Sequence, residues 1–345
     1  MEAGDSVNPW IRNLKPYVPG QTREGFVKLA SNENNYGPSP KVIAALRDSA
    51  GSVYRYPYKD DVVREKIAGY TGLGKENVIL GNGSDELIDL LVKTFKGPSC
   101  GVYPSFSEYR IVSATNGMDY VEVPLAEDFS FPLTKFKAQT RESNLIFLCT
   151  PNNPPGNTIS LDTIKEILDL GKVTVIDEAY YEFYGKTALD LLQEYDNLII
   201  LRTFAKAFGL AGLRAGYGLA SPGLIDLIYK TKPPFNVNYL AQEAMLAALD
   251  DIAYMQGRVD DIKKDRKILL AKLSAKFKAF PSQANFVLAD TSPKSAQEVF
   301  DFFLSKKMII RKFGEFPGFP GQYVRVTVGT NRENQDFYAA LDELE

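Results

Sequence analysis

The sequence contains no histidine and only two cysteines, Cys100 and Cys149, among 345 residues. The first absence excludes Ser-His-Asp and Cys-His nucleophilic catalysis, His-ligated zinc or haem, and any imidazole acid or base. The second excludes a disulfide framework and a Cys-rich metal site. Charge of one sign is also missing: 40 Lys+Arg against 43 Asp+Glu leave a net charge of −3. No basic excess points to nucleic acid or to an anionic membrane face. No run approaches the roughly 18 apolar residues of a spanning helix. The opening MEAGDSVNPW has neither a basic nor an apolar signal region, so a cytoplasmic protein is expected.

What is present is an ordinary globular composition, 45% hydrophobic and 24% charged, long enough for two or three packed lobes. If the chain is an enzyme, its proton carrier must be Lys, Tyr, Asp or Glu, or a bound cofactor must do the hard chemistry.

Short apolar runs alternate with amphipathic stretches between about residues 77 and 230. Strands are predicted at 77–80, 100–103, 120–123, 145–149, 173–176, 198–201 and 215–219, with helices such as 84–95 and 161–170 between them. Several strands are unbroken Val/Ile/Leu blocks, as expected of strands covered on both faces of a parallel sheet. From about 238 the pattern changes to a long helical stretch at 239–277, strands at 285–289, 308–313 and 323–328, a helix at 296–306 and a closing helix. The expected fold class is therefore α/β, with a mainly parallel sheet in a large domain at 41–238 and a smaller α+β domain at 239–345. Residues 1–40 show no periodicity of their own and are expected to cover other structure.

Five places can carry chemistry. Asp177 follows a buried strand, where open α/β sheets place ligands, though taken alone a helix cap or turn acid is the favoured reading there. Two phenols, Tyr180 and Tyr181, follow it. Lys206, in LRTFAKAFGLAGLR, has apolar flanks; desolvation lowers an amine's pKa and favours Schiff-base chemistry. Gly81-Asn82-Gly83-Ser84-Asp85 is a strand-to-helix turn able to offer amides to a phosphate, or merely a turn with first-turn acids. TPNNPPG places Asn152 and Asn153 after another strand. Arg311 and Arg325, on neighbouring predicted strands, could clamp a carboxylate or phosphate. A lysine, an acid, phenols, an amide and a phosphate turn at one sheet edge suit pyridoxal 5′-phosphate (PLP).

In that order the motifs TPNNPPGN, VIDEAYYEF and LRTFAKAFGLAGLRAGY resemble those of the fold-type I PLP-dependent aminotransferases, and within them the branch acting on histidinol phosphate. The likeness runs from LKPY and LASNEN to VRVTVGT, nearly the whole chain. The resemblance implies that Lys206 forms the internal aldimine with PLP and that Asp177 pairs with the pyridinium nitrogen. Asn153 and Tyr180 would bond the phenolic oxygen, and Phe106, where the family usually has tyrosine, would stack on the ring. Ser84, Asp85, Thr203 and Arg214 would hold the phosphate, joined by Tyr56 from the second subunit of an obligate homodimer. Tyr17, Asn34, Arg311 and Arg325 would bind substrates, histidinol phosphate on one side and glutamate or 2-oxoglutarate on the other. Aromatic amino-acid aminotransferases and threonine-phosphate decarboxylases share the fold and are the alternatives. Ala205 stands where the family commonly has serine, which removes one hydroxyl from the phosphate cup, a loss of about 1 kcal/mol.

Overall fold

The computed structural model describes residues 3–12, 14 and 20–344. The first strand, β1 (Val27–Leu29), is not foreseen from the sequence. The segment expected only to cover other structure gives this strand to the smaller sheet, pairing parallel with residues 308–310. Three residues are too few to show a period, and the partner lies far along the chain.

The larger sheet contains β2 (Val78–Gly81), β3 (Ser99–Tyr103), β4 (Tyr120–Pro124), β5 (Leu145–Cys149), β6 (Val173–Asp177), β7 (Leu198–Thr203) and β8 (Gly216–Ala220). Their order is β2-β8-β7-β6-β5-β3-β4. All neighbours are parallel except β8, which runs antiparallel to both β2 and β7. Alternate residues of one strand serve opposite faces: Ile146 and Leu148 enter one apolar cluster, Leu145 and Phe147 the other. Helices cover both faces, which is why these strands read as unbroken apolar runs. The chain steps outward from β3 to β4 and returns to the other side of β3 with β5. The strand order therefore switches between β3 and β5, and open α/β sheets bind ligands at such a switch.

The smaller sheet adds β9 (Lys278–Ala279), β10 (Phe286–Asp290), β11 (Met308–Phe316) and β12 (Phe319–Thr327), in the order β1-β11-β12-β10-β9. The helical stretch expected at 239–277 is two helices, Tyr239–Leu249 and Ile252–Ser274. They part at Asp250 and Asp251, where Lys41 donates to the Asp250 carbonyl at 2.9 Å and Lys66 pairs with its carboxylate. The closing helix, Asn331–Glu343, starts at a capping box of Thr330 and Glu333. Among the described residues no helix is long and apolar enough to cross a membrane.

Candidate active site

Register aligns Cys149, Asp177 and Leu201 at the carboxyl ends of β5, β6 and β7. Above that edge lies a cavity of about 440 Å³, closed on the far side by the hairpin of β11 and β12. It brings together Ser84, Asp85, Phe106, Asn153, Asp177, Tyr180, Thr203, Lys206, Arg214, Arg311 and Arg325. These come from loops that are far apart in sequence but share one sheet edge.

Asp177 is buried. Its carboxylate accepts from the Tyr109 hydroxyl at 2.6 Å and from the Ala179 amide at 3.0 Å. Burial pushes its pKa up to about 6, against the pull of those two bonds. Lys206 sits in the loop after β7, between Phe204 and Phe208, and its Nζ donates to the Ser31 carbonyl at 3.2 Å. Burial brings the amine down to about 8, and the positive charge of Arg325 pushes the same way. Tyr180 is buried between them, its oxygen accepting from the Asn32 amide at 2.8 Å, and burial raises its pKa.

At the opposite end Gly83, at φ +83°, precedes the helix Ser84–Thr94 and offers no side-chain cap. The first amides of that helix therefore lack intrahelical partners, and Ser84 and Asp85 line the cavity. Arg214 reaches the same corner and pairs with Asp85 at 2.5 Å. Its own backbone is left-handed, φ +54°, a conformation uncommon for a residue with a side chain. Gly216 is fixed by close approach, since a Cβ there would lie 2.6 Å from the backbone of Gly83 and Ser84. Thr203 lines the cavity, while its hydroxyl accepts from the Ala205 amide at 3.0 Å and reaches the Ala215 carbonyl at 3.3 Å. Phe106 lies edge-on to Tyr109, centroids 5.6 Å apart. Asn153 accepts from Arg325 through Oδ1.

Three predicted site residues are not part of this assembly. Asn34 is buried beside it: its amide donates to the Ala207 carbonyl at 2.8 Å, which fixes the backbone next to Lys206 and leaves Asn34 outside the cavity lining. Tyr56 is 75% exposed and stacks on Phe235 at 4.7 Å, outside the cavity of its own chain. Tyr17 lies outside the described residues. Conversely, Asn32 and Tyr109 escaped sequence reasoning although each holds a central group. Asn32 has φ +57°, which asparagine tolerates better than most residues. Its Oδ1 accepts from the Thr327 hydroxyl at 3.2 Å and its carbonyl from Asn285 at 3.0 Å.

The donor set fits PLP. A buried carboxylate bonded by two neutral donors gains from a cationic ring nitrogen. An amine brought near neutrality suits a bond to an aldehyde, and helix amides with an arginine suit a phosphate.

Behind the site, Glu178 and Arg202 form an ion pair at 2.9 Å, 1% and 2% exposed. Replacing Arg202 by methionine leaves Glu178 charged and buried, and should cost about 3–5 kcal/mol in urea unfolding. A loss below about 1 kcal/mol would show that the pair is not desolvated as the structure has it.

Residues 24–341 match the family model described as aminotransferase class I and II. The histidinol-phosphate aminotransferase of Symbiobacterium thermophilum is 39% identical, covering 97% of this chain and 98% of its own. That of Pyrococcus furiosus is 36% identical over 97% of this chain and 96% of its own. Among solved structures, the histidinol-phosphate aminotransferase of Sinorhizobium meliloti in complex with pyridoxal-5′-phosphate superposes with a TM-score of 0.88 at 25% identity, over 98% of this chain and 97% of that one. The chain therefore belongs to the class I and II aminotransferases.

Proposed function

We propose that this protein transfers an amino group between L-histidinol phosphate and 2-oxoglutarate, using PLP, as a step in histidine biosynthesis. The observation that carries the reading is one cavity holding a desolvated lysine, a buried carboxylate and two opposed arginines. The near full-length relatives named for this activity support it.

PLP, when bound, supplies an electron-accepting ring that no amino-acid side chain provides. Lys206 would hold the cofactor and carry the proton from the substrate Cα; its lowered pKa suits it to take and release that proton near neutrality. Asp177 would hold a proton at the cofactor's ring nitrogen, with Tyr109 and Ala179 fixing the carboxylate. Asn153 and Tyr180 would bond its phenolic oxygen, and Phe106 would cover its ring. The amides of Ser84 and Asp85, with Thr203 and Arg214, would take the phosphate. Arg325 and Arg311 bind the α-carboxylate of glutamate and the phosphate of histidinol phosphate.

Tyr56 has no role within its own cavity. We assign it to the phosphate site of a second copy, in a homodimer. The exposed rings of Tyr54, Tyr56, Tyr58 and Phe235, with Tyr56 stacked on Phe235, support that reading, since solvent-facing aromatic surface gains from burial. We also infer a cytoplasmic location, in keeping with two buried, unpaired thiols, and a division into a covering segment at 1–40, a large domain at 41–238 and a small one at 239–345.

Steady-state turnover with 2-oxoglutarate tests the reading. Histidinol phosphate should exceed phenylalanine in kcat/KM by about a hundredfold, the value of a charge-assisted phosphate contact. Preference for phenylalanine, or carbon dioxide release from threonine phosphate, would overturn it.

A further inference from the structure

Arg311 and Arg325 stand directly opposite each other across β11 and β12, and both line the cavity. Like charges at opposed positions of an antiparallel pair repel. The hairpin supplies part of the compensation, beside the Phe286 ring of β10, 5.0 Å from Arg325. The Phe313 ring centroid lies 5.7 Å from the guanidinium carbon of Arg311 and 5.5 Å from that of Arg325. Both distances fall where a cation is attracted to an aromatic ring. Arg325 also donates to the Ala30 carbonyl at 2.8 Å and to Asn153.

A regular strand could not keep this arrangement. Arg311 and Phe313 share a face by the two-residue period, and unbroken alternation would next bring Glu315 to it. The ladder instead shifts register twice, between Lys312 and Gly314 and again between Gly314 and Phe316, with Gly314 at φ +76°. Such irregularities break the alternation. Glu315 is exposed and accepts from Gln322 at 3.1 Å, whereas Phe316 is buried and joins the cavity wall. A carboxylate is thus kept off the face that carries two cations.

We propose that Phe313 is a positioning residue that holds Arg311 and Arg325 apart and aimed into the cavity, with the Gly314 bulge keeping Glu315 from neutralising them. The inference rests on the reading that both substrates are anionic and bind here. The PLP-loaded full chain provides the test. Phe313→Leu should raise KM for both histidinol phosphate and 2-oxoglutarate about tenfold, with kcat within about threefold of wild type. Phe313→Tyr should restore both values, and Glu315→Gln should change neither. Unaltered KM values in the leucine variant, a tyrosine variant as impaired as leucine, or a clear gain or loss in Glu315→Gln would each overturn the proposal. Calorimetric titration with inorganic phosphate separates this failure from that of the functional reading. Binding should weaken about tenfold in Phe313→Leu even if wild-type protein turns over no histidinol phosphate. Equal binding by the two proteins would sink the role of Phe313 alone.

Discussion

Replacing Lys206 by alanine is expected to lower amino transfer by about 10⁴-fold or more, because one substitution removes both a nucleophile and a proton carrier. No histidine exists to take over. Lys206→Arg should be as inactive: its charge persists, but a guanidinium releases no proton near neutral pH. Borohydride reduction followed by peptide mapping should label residue 206 in the wild type and nothing in either variant. The pH dependence has a defined sign. The neutral amine is the reactive form, and burial brings Lys206 down to about 8. Capture of PLP by the cofactor-free protein should therefore quicken with pH through about 8 and then level off. A rate that keeps climbing to the ordinary lysine range would show a solvated amine.

Asp177→Asn should produce two opposite effects. Activity should fall about a thousandfold, since an amide gives a cationic ring nitrogen no counter-charge. The cofactor-free protein should become more stable at neutral pH. The reason is that Asp177 holds its proton up to about 6 in the folded chain, against an ordinary value of 3.8. Between those values the native state binds more protons than the unfolded one, so stability falls as pH rises, by roughly 3 kcal/mol in all. Asparagine removes that slope. Thermal unfolding from pH 4 to 7 reads both points: the wild type should lose Tm across the window relative to the variant. Parallel curves would mean the carboxylate is not desolvated.

Most of the larger sheet was legible because its signal is local. Val175–Ile176 and Leu198–Leu201 are unbroken buried apolar runs, so the blocks announce themselves, although Thr174, Asp177, Arg202 and Thr203 of the same two strands are buried as well. β1 carries no such signal: Val27–Leu29 is a strand only because residues 308–310 lie alongside. The break between the helices Tyr239–Leu249 and Ile252–Ser274 falls at Asp250 and Asp251, where Lys41 and Lys66 bond from far along the chain, outside any local window. The site divides in the same way. Lys206 and Asp177 sit next to buried strands and can be found from their neighbours. Tyr109 matters only through Asp177, 68 positions away. Asn32 and Asn34 look alike in the LASNEN run, yet one bonds Tyr180 and the other the Ala207 backbone. The alternation that would point Glu315 inward fails at the two register shifts around Gly314, which a count of residues does not reveal.

The reversed direction of β8 has a consequence for motion. Because it runs against its neighbours, its first residues return to the edge that β7 has just left, and the stretch from 204 to 215 is tied at both feet, with the Phe204 amide on the Ala215 carbonyl at 3.0 Å. The hydrogen-bonded amides of Phe204 and Leu210 should then exchange with deuterated solvent together, and more slowly than those at the exposed turn of Gly212, because they are released when the two strands separate.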